Sequence, residues 1–212
     1  MDHQSPVSQL GMTRIPLLVC LLAVVMMVSP STAFKCANGV VTKNTYGMTW
    51  ALSDCPKQPA MPNIGVGCHG MPRTFDNAWA GACNPYVGDT NCCALKQIMC
   101  YKPTGAPIPP GLEGGGTDYY QGWAPGIISA TRSYVRGYSL TSVAVANAFC
   151  ARELGAGYRM IEFHDGNNGQ GGWGAQAIQA AGQNNYLSFR GRFWAYNNDA
   201  NANCWDSPNS IP

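Results

Sequence analysis

Charge is what this sequence has least of. Asp, Glu, Lys and Arg make up 11% of its 212 residues, where about 25% is usual for a soluble protein. The 13 basic and 11 acidic side chains leave a formal charge of +2, too weak a field to argue for nucleic acid or an anionic membrane surface as partner. Its polar surface must therefore be built from Asn, Gln, Ser, Thr and Gly. Long apolar runs are also scarce. Past the N-terminal block no stretch is long and apolar enough to span a bilayer, which takes about 20 residues. The spacings of the first seven cysteines after that block contain no C-x-x-C pair, which argues against a zinc ribbon or finger. There is no G-x-S-x-G, H-E-x-x-H, phosphate-binding loop or dinucleotide fingerprint, and no internal repeat.

What is present begins with an export pattern. Arg14 precedes an apolar run from Ile15 to Val28, and Ser31 and Ala33 occupy the small-residue positions of a cleavage site. That order predicts a signal peptide over residues 1–33, with Phe34 as the first mature residue and Met12 as an alternative start. Val19 before Cys20 is not the small residue that a lipid-anchored cleavage box requires. Removal of 1–33 takes away one cation and one anion, so the net charge stays at +2.

Nine of the ten cysteines lie beyond Ala33: Cys36, Cys55, Cys68, Cys83, Cys92, Cys93, Cys100, Cys150 and Cys204. In a secreted, extracellular or periplasmic protein they are read as disulfides. Nine is odd, so one cysteine is free, bound to something else, or paired between chains, which would make the protein self-associate. Seven of the nine fall between Phe34 and Tyr101, which predicts a cysteine-rich module over 34–101 with a core too thin to do without staples. Residues 102–116, KPTGAPIPPGLEGGG, read as a Pro/Gly linker, and 117–212 as a second, α+β domain.

Within that domain Val143, Ala146, Cys150 and Leu154 recur at helical spacing, which predicts a helix over 139–154, stopped by Gly155 and capped by Ser139 or Thr141. A strand is expected over 157–164, a Gly/Asn/Gln loop around Trp173, a helical turn over 175–181 and a second strand over 190–196.

Two segments could carry chemistry. On a strand, alternate residues share a face, so Glu162 and His164 become side neighbours, with Asp165 at the strand end and Arg159, Ile161 and Phe163 on the other face. A carboxylate beside an imidazole suits general acid/base work or, with Asp165 and Asp199, a metal site. It equally suits a turn whose backbone the pair hydrogen-bonds. The second segment is Asn197–Asn203, flanked by Trp194, Tyr196 and Trp205. Asn and Asp oxygens suit calcium, and amides beside aromatic faces suit sugars, yet the same residues are turn formers. The candidate ligand-binding set is Trp173, Trp194, Tyr196, Asn198, Asp199, Asn201, Asn203 and Trp205, although tryptophans at this density are as readily core.

The segments GYRMIEFHDG (157–166), RFWAYNNDANANCW (192–205) and CNPYVGDTNC (83–92) are similar to those of a group of secreted bacterial proteins with no assigned activity. More distantly, a cysteine-bearing helix, a strand after "GYR" and a tryptophan-rich strand closing on a last cysteine resemble the C-type lectin-like fold. That resemblance implies a bridge between Cys150 and Cys204. It departs from the fold's sugar-binding members in lacking an E-P-N or Q-P-D triplet and in having Asn197-Asn198-Asp199 where W-N-D is usual. The expectation is a secreted, non-enzymatic binding module for carbohydrate or another surface polymer, with calcium as an optional cofactor. The alternatives are a small hydrolase using Glu162, His164 and Asp165 with Asp199 or Asn201 as a third polar group, and a subunit of an extracellular layer or filament.

Overall fold

The computed structural model describes residues 45–52, 63–68, 85–110, 121–166, 174–181, 187 and 191–207. The chain divides into two compact units, 1–33 and 34–212, and all described residues belong to the second. Its elements are β1 (Tyr46–Gly47), β2 (Thr49–Leu52), β3 (Asn63–Gly67), β4 (Thr90–Asn91), β5 (Leu95–Lys96), β6 (Met99–Pro103), β7 (Gln121–Ala130), β8 (Val135–Arg136), α1 (Val143–Leu154), β9 (Arg159–Met160), β10 (Gly174–Gln179) and β11 (Arg192–Trp194). This is a sheet-rich α+β arrangement with one α-helix among the described residues.

Seven strands form one sheet in the order β11-β2-β3-β10-β7-β6-β9, and two short pairs, β1-β4 and β5-β8, stand beside it. Every ladder in the large sheet is antiparallel except β10-β7. This sheet corrects the expected division at 102–116. Strands β2, β3 and β6 come from the cysteine-rich side and β7, β9, β10 and β11 from the other, so the two stretches share one sheet within a single unit. Lys102 and Pro103 complete β6, and residues 104–110 continue as largely exposed chain, while 111–116 lie outside the described residues.

The period-2 alternation of side chains sorts the core onto the two faces of the sheet. Along β6, Met99 and Tyr101 belong to one apolar cluster and Cys100 to another; along β11, Phe193 and Trp194 divide the same way. The first cluster gathers Trp50, Leu52, Ile64, Val66, Ile128 and Phe163. The second contains Ile98, Leu140, Met160 and Trp194 together with Ala146 and Cys150 of α1. Burial of each large apolar side chain contributes about 1.5–3 kcal/mol.

Helix α1 ends at Leu154 before Gly155 as expected, but it begins at Val143 rather than 139, and its cap is Ser142, whose hydroxyl accepts the Val145 N–H at 3.2 Å, rather than Thr141 or Ser139. Ser139 instead ends a 3-10 turn, Gly137–Ser139. The helical turn expected over 175–181 is β10. There Ala175 and Ala177 are buried between β3 and β7, where small side chains fit a central strand and tertiary pairing overrides alanine's helix preference. The strand expected over 157–164 is confined to Arg159–Met160. Beyond it Glu162 makes one parallel bridge to Tyr196 and the chain turns through 163–165.

The implied Cys150–Cys204 bridge is also corrected. Cys150 is bonded to Cys100, and Cys204 to Cys92. Cys100 alternates onto the sheet face that α1 covers, so the helix meets it directly. Cys68 and Cys93 are disulfide-bonded too, and the question of an unpaired cysteine falls outside the described residues. No helix among the described residues is long and apolar enough to cross a membrane.

Candidate functional site

At the β9 edge, Arg159 stands opposite Tyr101 in the β6-β9 ladder, its guanidinium 5.1 Å from the centre of the Tyr101 ring. Because the strand stops at Met160, the chain can fold back within four residues. Asp165 accepts the Glu162 N–H at 2.7 Å, its own N–H donates to the Glu162 carbonyl at 3.0 Å, and its carboxylate takes both terminal nitrogens of Arg159 in a bidentate pair. Glu162 closes a second loop inside the first. One of its oxygens accepts the His164 N–H at 2.8 Å and the other lies 3.0 Å from His164 Nδ1.

The Asn-rich segment meets this turn. Asn198 Oδ1 lies 3.1 Å from His164 Nδ1, and Asp199 Oδ2 lies 3.3 Å from Nε2. Glu162 and Asn198 near Nδ1 and Asp199 near Nε2 all offer acceptor oxygens, so the imidazole meets acceptors at both ring nitrogens. The result is an open cleft of about 570 Å³, lined by Tyr101, Pro103, Pro125, Arg159, Glu162, His164, Asp165 and Asn198.

Electrostatics follow from burial and pairing. Burial, followed by the negative charge of Asp165, pushes the Tyr101 hydroxyl up to about 12. Burial and then the Glu162 charge also raise Tyr196. For Arg159 burial acts to lower the pKa, but the hydrogen bonds it donates to Asp165 and the charge of that carboxylate outweigh it and the net direction is upward. The tyrosines thus stay neutral and the arginine charged over the ordinary pH range.

Of the expected site residues, Glu162, His164, Asp165, Asn198 and Asp199 come together, and Asn201 is exposed on the same loop. Trp194 does not join them: it is 1% exposed and its Nε1–H donates to the Val135 carbonyl at 3.1 Å. Asn203 is likewise buried, its amide bonded to the Asn197 carbonyl and to Asp206 at 2.8 Å each, while its Oδ1 accepts the Asn197 N–H at 2.9 Å. These two side chains hold the fold rather than a ligand. Tyr196 and Trp205 are half-buried, with ring centres 6.2 Å apart and packed against the helix-side core. Trp173 lies outside the described residues.

Sequence reasoning missed Tyr101, Arg159, Pro103 and Pro125 as lining residues. A continuous strand would hold Arg159 on the face opposite Glu162, but the ladder ends at Met160 and the chain turns through 163–165, before the Asp165-Gly166 turn signal. Among the described residues no group of three or more His, Cys, Asp and Glu side chains is arranged to hold a metal ion. Of the three metal candidates, Asp165 is turned to Arg159 and Glu162 to His164. No protein family, curated protein or solved structure matches the chain.

Proposed function

We propose that this protein is an exported, non-enzymatic binding module of lectin-like organisation, and that its cleft holds a carbohydrate or other hydroxyl-rich surface polymer. The observation that carries this reading is the internal hydrogen bonding of the cleft. The Arg159 guanidinium is paired with Asp165 and the Glu162 carboxylate is hydrogen-bonded by His164, so the cleft offers an ordered set of donors and acceptors whose one guanidinium is already partnered. A neutral ligand rich in hydroxyl groups suits such a surface, and the prolines beside Tyr101 add apolar contact. Export is supported by the N-terminal pattern and by the disulfides. Calcium enters as a component to be tested by chelator, with Asp199, 52% exposed at its side chain, as the carboxylate open to it.

One observation favours a second reading. His164 holds Glu162 on one nitrogen and turns the other towards Asp199, an arrangement in which imidazole could activate water for hydrolysis of the same polymer. The test is retention of the protein, produced by secretion into an oxidising compartment, on insoluble cellulose, chitin, xylan and peptidoglycan. Retention without release of soluble sugar supports the binding module. Release that disappears in His164→Ala supports the hydrolase.

A further inference from the structure

The aromatic face expected beside the Asn-rich loop is not supplied by Trp194, which is core, and the structure points to a different residue. Tyr86 is 50% exposed, and its neighbour Val87 is 45% exposed. Its ring lies edge-on to Phe163 at 5.8 Å, and Phe163 lies edge-on to His164 at 4.9 Å. Phe163 itself is buried.

The Tyr86 loop is held at both ends. On one side the Pro85 carbonyl accepts the buried Asn197 amide at 3.0 Å, which ties it to the loop carrying Asn198 and Asp199. On the other, Gly88 has φ +80° and packs so closely that a Cβ there would lie 2.5 Å from the Tyr46 carbonyl oxygen. Asp89 follows, its carboxylate accepting from the Thr49 N–H at 2.9 Å and from Arg192 at 2.6 Å. The ring is therefore presented by a backbone with little freedom left to lose on binding.

We infer that Tyr86 is a stacking residue which extends the His164–Asn198 rim into a second subsite, taking the apolar face of a sugar ring while Asn198 and Asp199 take its hydroxyls. The inference rests on the reading of the cleft as a carbohydrate site. An aromatic ring stacked on a sugar contributes contact area at low entropic cost.

The test uses whichever of cellulose, chitin, xylan and peptidoglycan retains the wild-type protein. Tyr86→Ala is expected to weaken retention roughly tenfold, the size of one good aromatic contact, and Tyr86→Trp to keep it. A second measurement needs no variant: bound polysaccharide is expected to slow nitration of Tyr86 by tetranitromethane. Tyr134, 61% exposed and next to β8, provides the comparison and is expected to react at the same rate with or without polysaccharide. If the variant loses binding through a disturbed Phe163, Tyr86 is nitrated equally fast in both states, and the inference fails. Full retention of Tyr86→Ala with no protection overturns the inference and leaves the carbohydrate reading standing. Failure of the wild-type protein to bind any of the four overturns both.

Discussion

At the scale of single residues, the site depends on where each side chain spends its hydrogen bonds. Asn197 and Asn203 resemble Asn198 and Asn201 in sequence, yet the first pair is buried in backbone contacts and the second faces solvent. No periodicity separates them, because Asn197 is fixed by Pro85 from a distant part of the chain and Asn203 by a local turn that bonds it to Asn197 and Asp206. Glu162 and His164 were recognisable as neighbours, although a two-residue turn, not a strand face, brings them together. Tyr101 carries the clearest pH consequence. Its phenol titrates at about 12 in the folded protein and near 10 when unfolded, so folding favours the protonated form. That stabilisation is complete below about pH 10 and is lost as the pH rises towards about 12. Tyr158 and Tyr196 are raised in the same direction by burial, so the comparison must be with a variant. Denaturant unfolding at a series of alkaline pH values is expected to show a shallower decline for Tyr101→Phe than for wild type. Parallel declines would mean that the phenol's surroundings are misassigned.

At the scale of elements, the helix was legible because its apolar spacing repeats over three turns, whereas β10 was not, because alanine says helix locally and only its neighbours β3 and β7 say strand. The strand leading to the site was foreseen too long for a related reason: bulky and β-branched residues fit the isolated bridge and turn of 161–163 as well as a ladder. Two consequences of element packing can be measured. The Cys100–Cys150 bridge closes a loop across 50 residues between β6 and α1, and replacing both cysteines by serine is expected to cost about 2–4 kcal/mol in unfolding free energy. Unchanged stability would show that α1 is held by its apolar contacts alone. The other bridge lies against β1, where a Cβ on Gly47 would sit 2.5 Å from Cys204 Sγ and 3.2 Å from the Trp194 ring. Gly47→Ala is expected to cost about 1–3 kcal/mol through overpacking. Gly191→Ala is expected to be tolerated, since the nearest atom there is the Phe193 ring at 3.5 Å. Equal thermal midpoints for the two variants would contradict that packing.

At the scale of the whole molecule, the two-part composition of the sequence conceals a shared sheet. Cysteine density and the Pro/Gly stretch are local properties, while β2, β3 and β6 meet β11, β10 and β9 only through long-range registers. The site inherits this organisation. β6 supplies Tyr101, the turn after β9 supplies the charged residues, and the segment after β11 supplies Asn198 and Asp199. A cleft assembled from three distant stretches, with its polar side chains already hydrogen-bonded to one another, is the basis for reading the protein as a binder of neutral polar polymer. The most direct test is retention of the secreted protein on cellulose, chitin, xylan and peptidoglycan, with and without chelator, beside His164→Ala. The account predicts retention on at least one polymer, no soluble sugar released, and retention at least roughly tenfold weaker in the variant; loss with chelator would add calcium to the site. Failure of the wild-type protein to bind any polymer, or equal retention of His164→Ala, would contradict it.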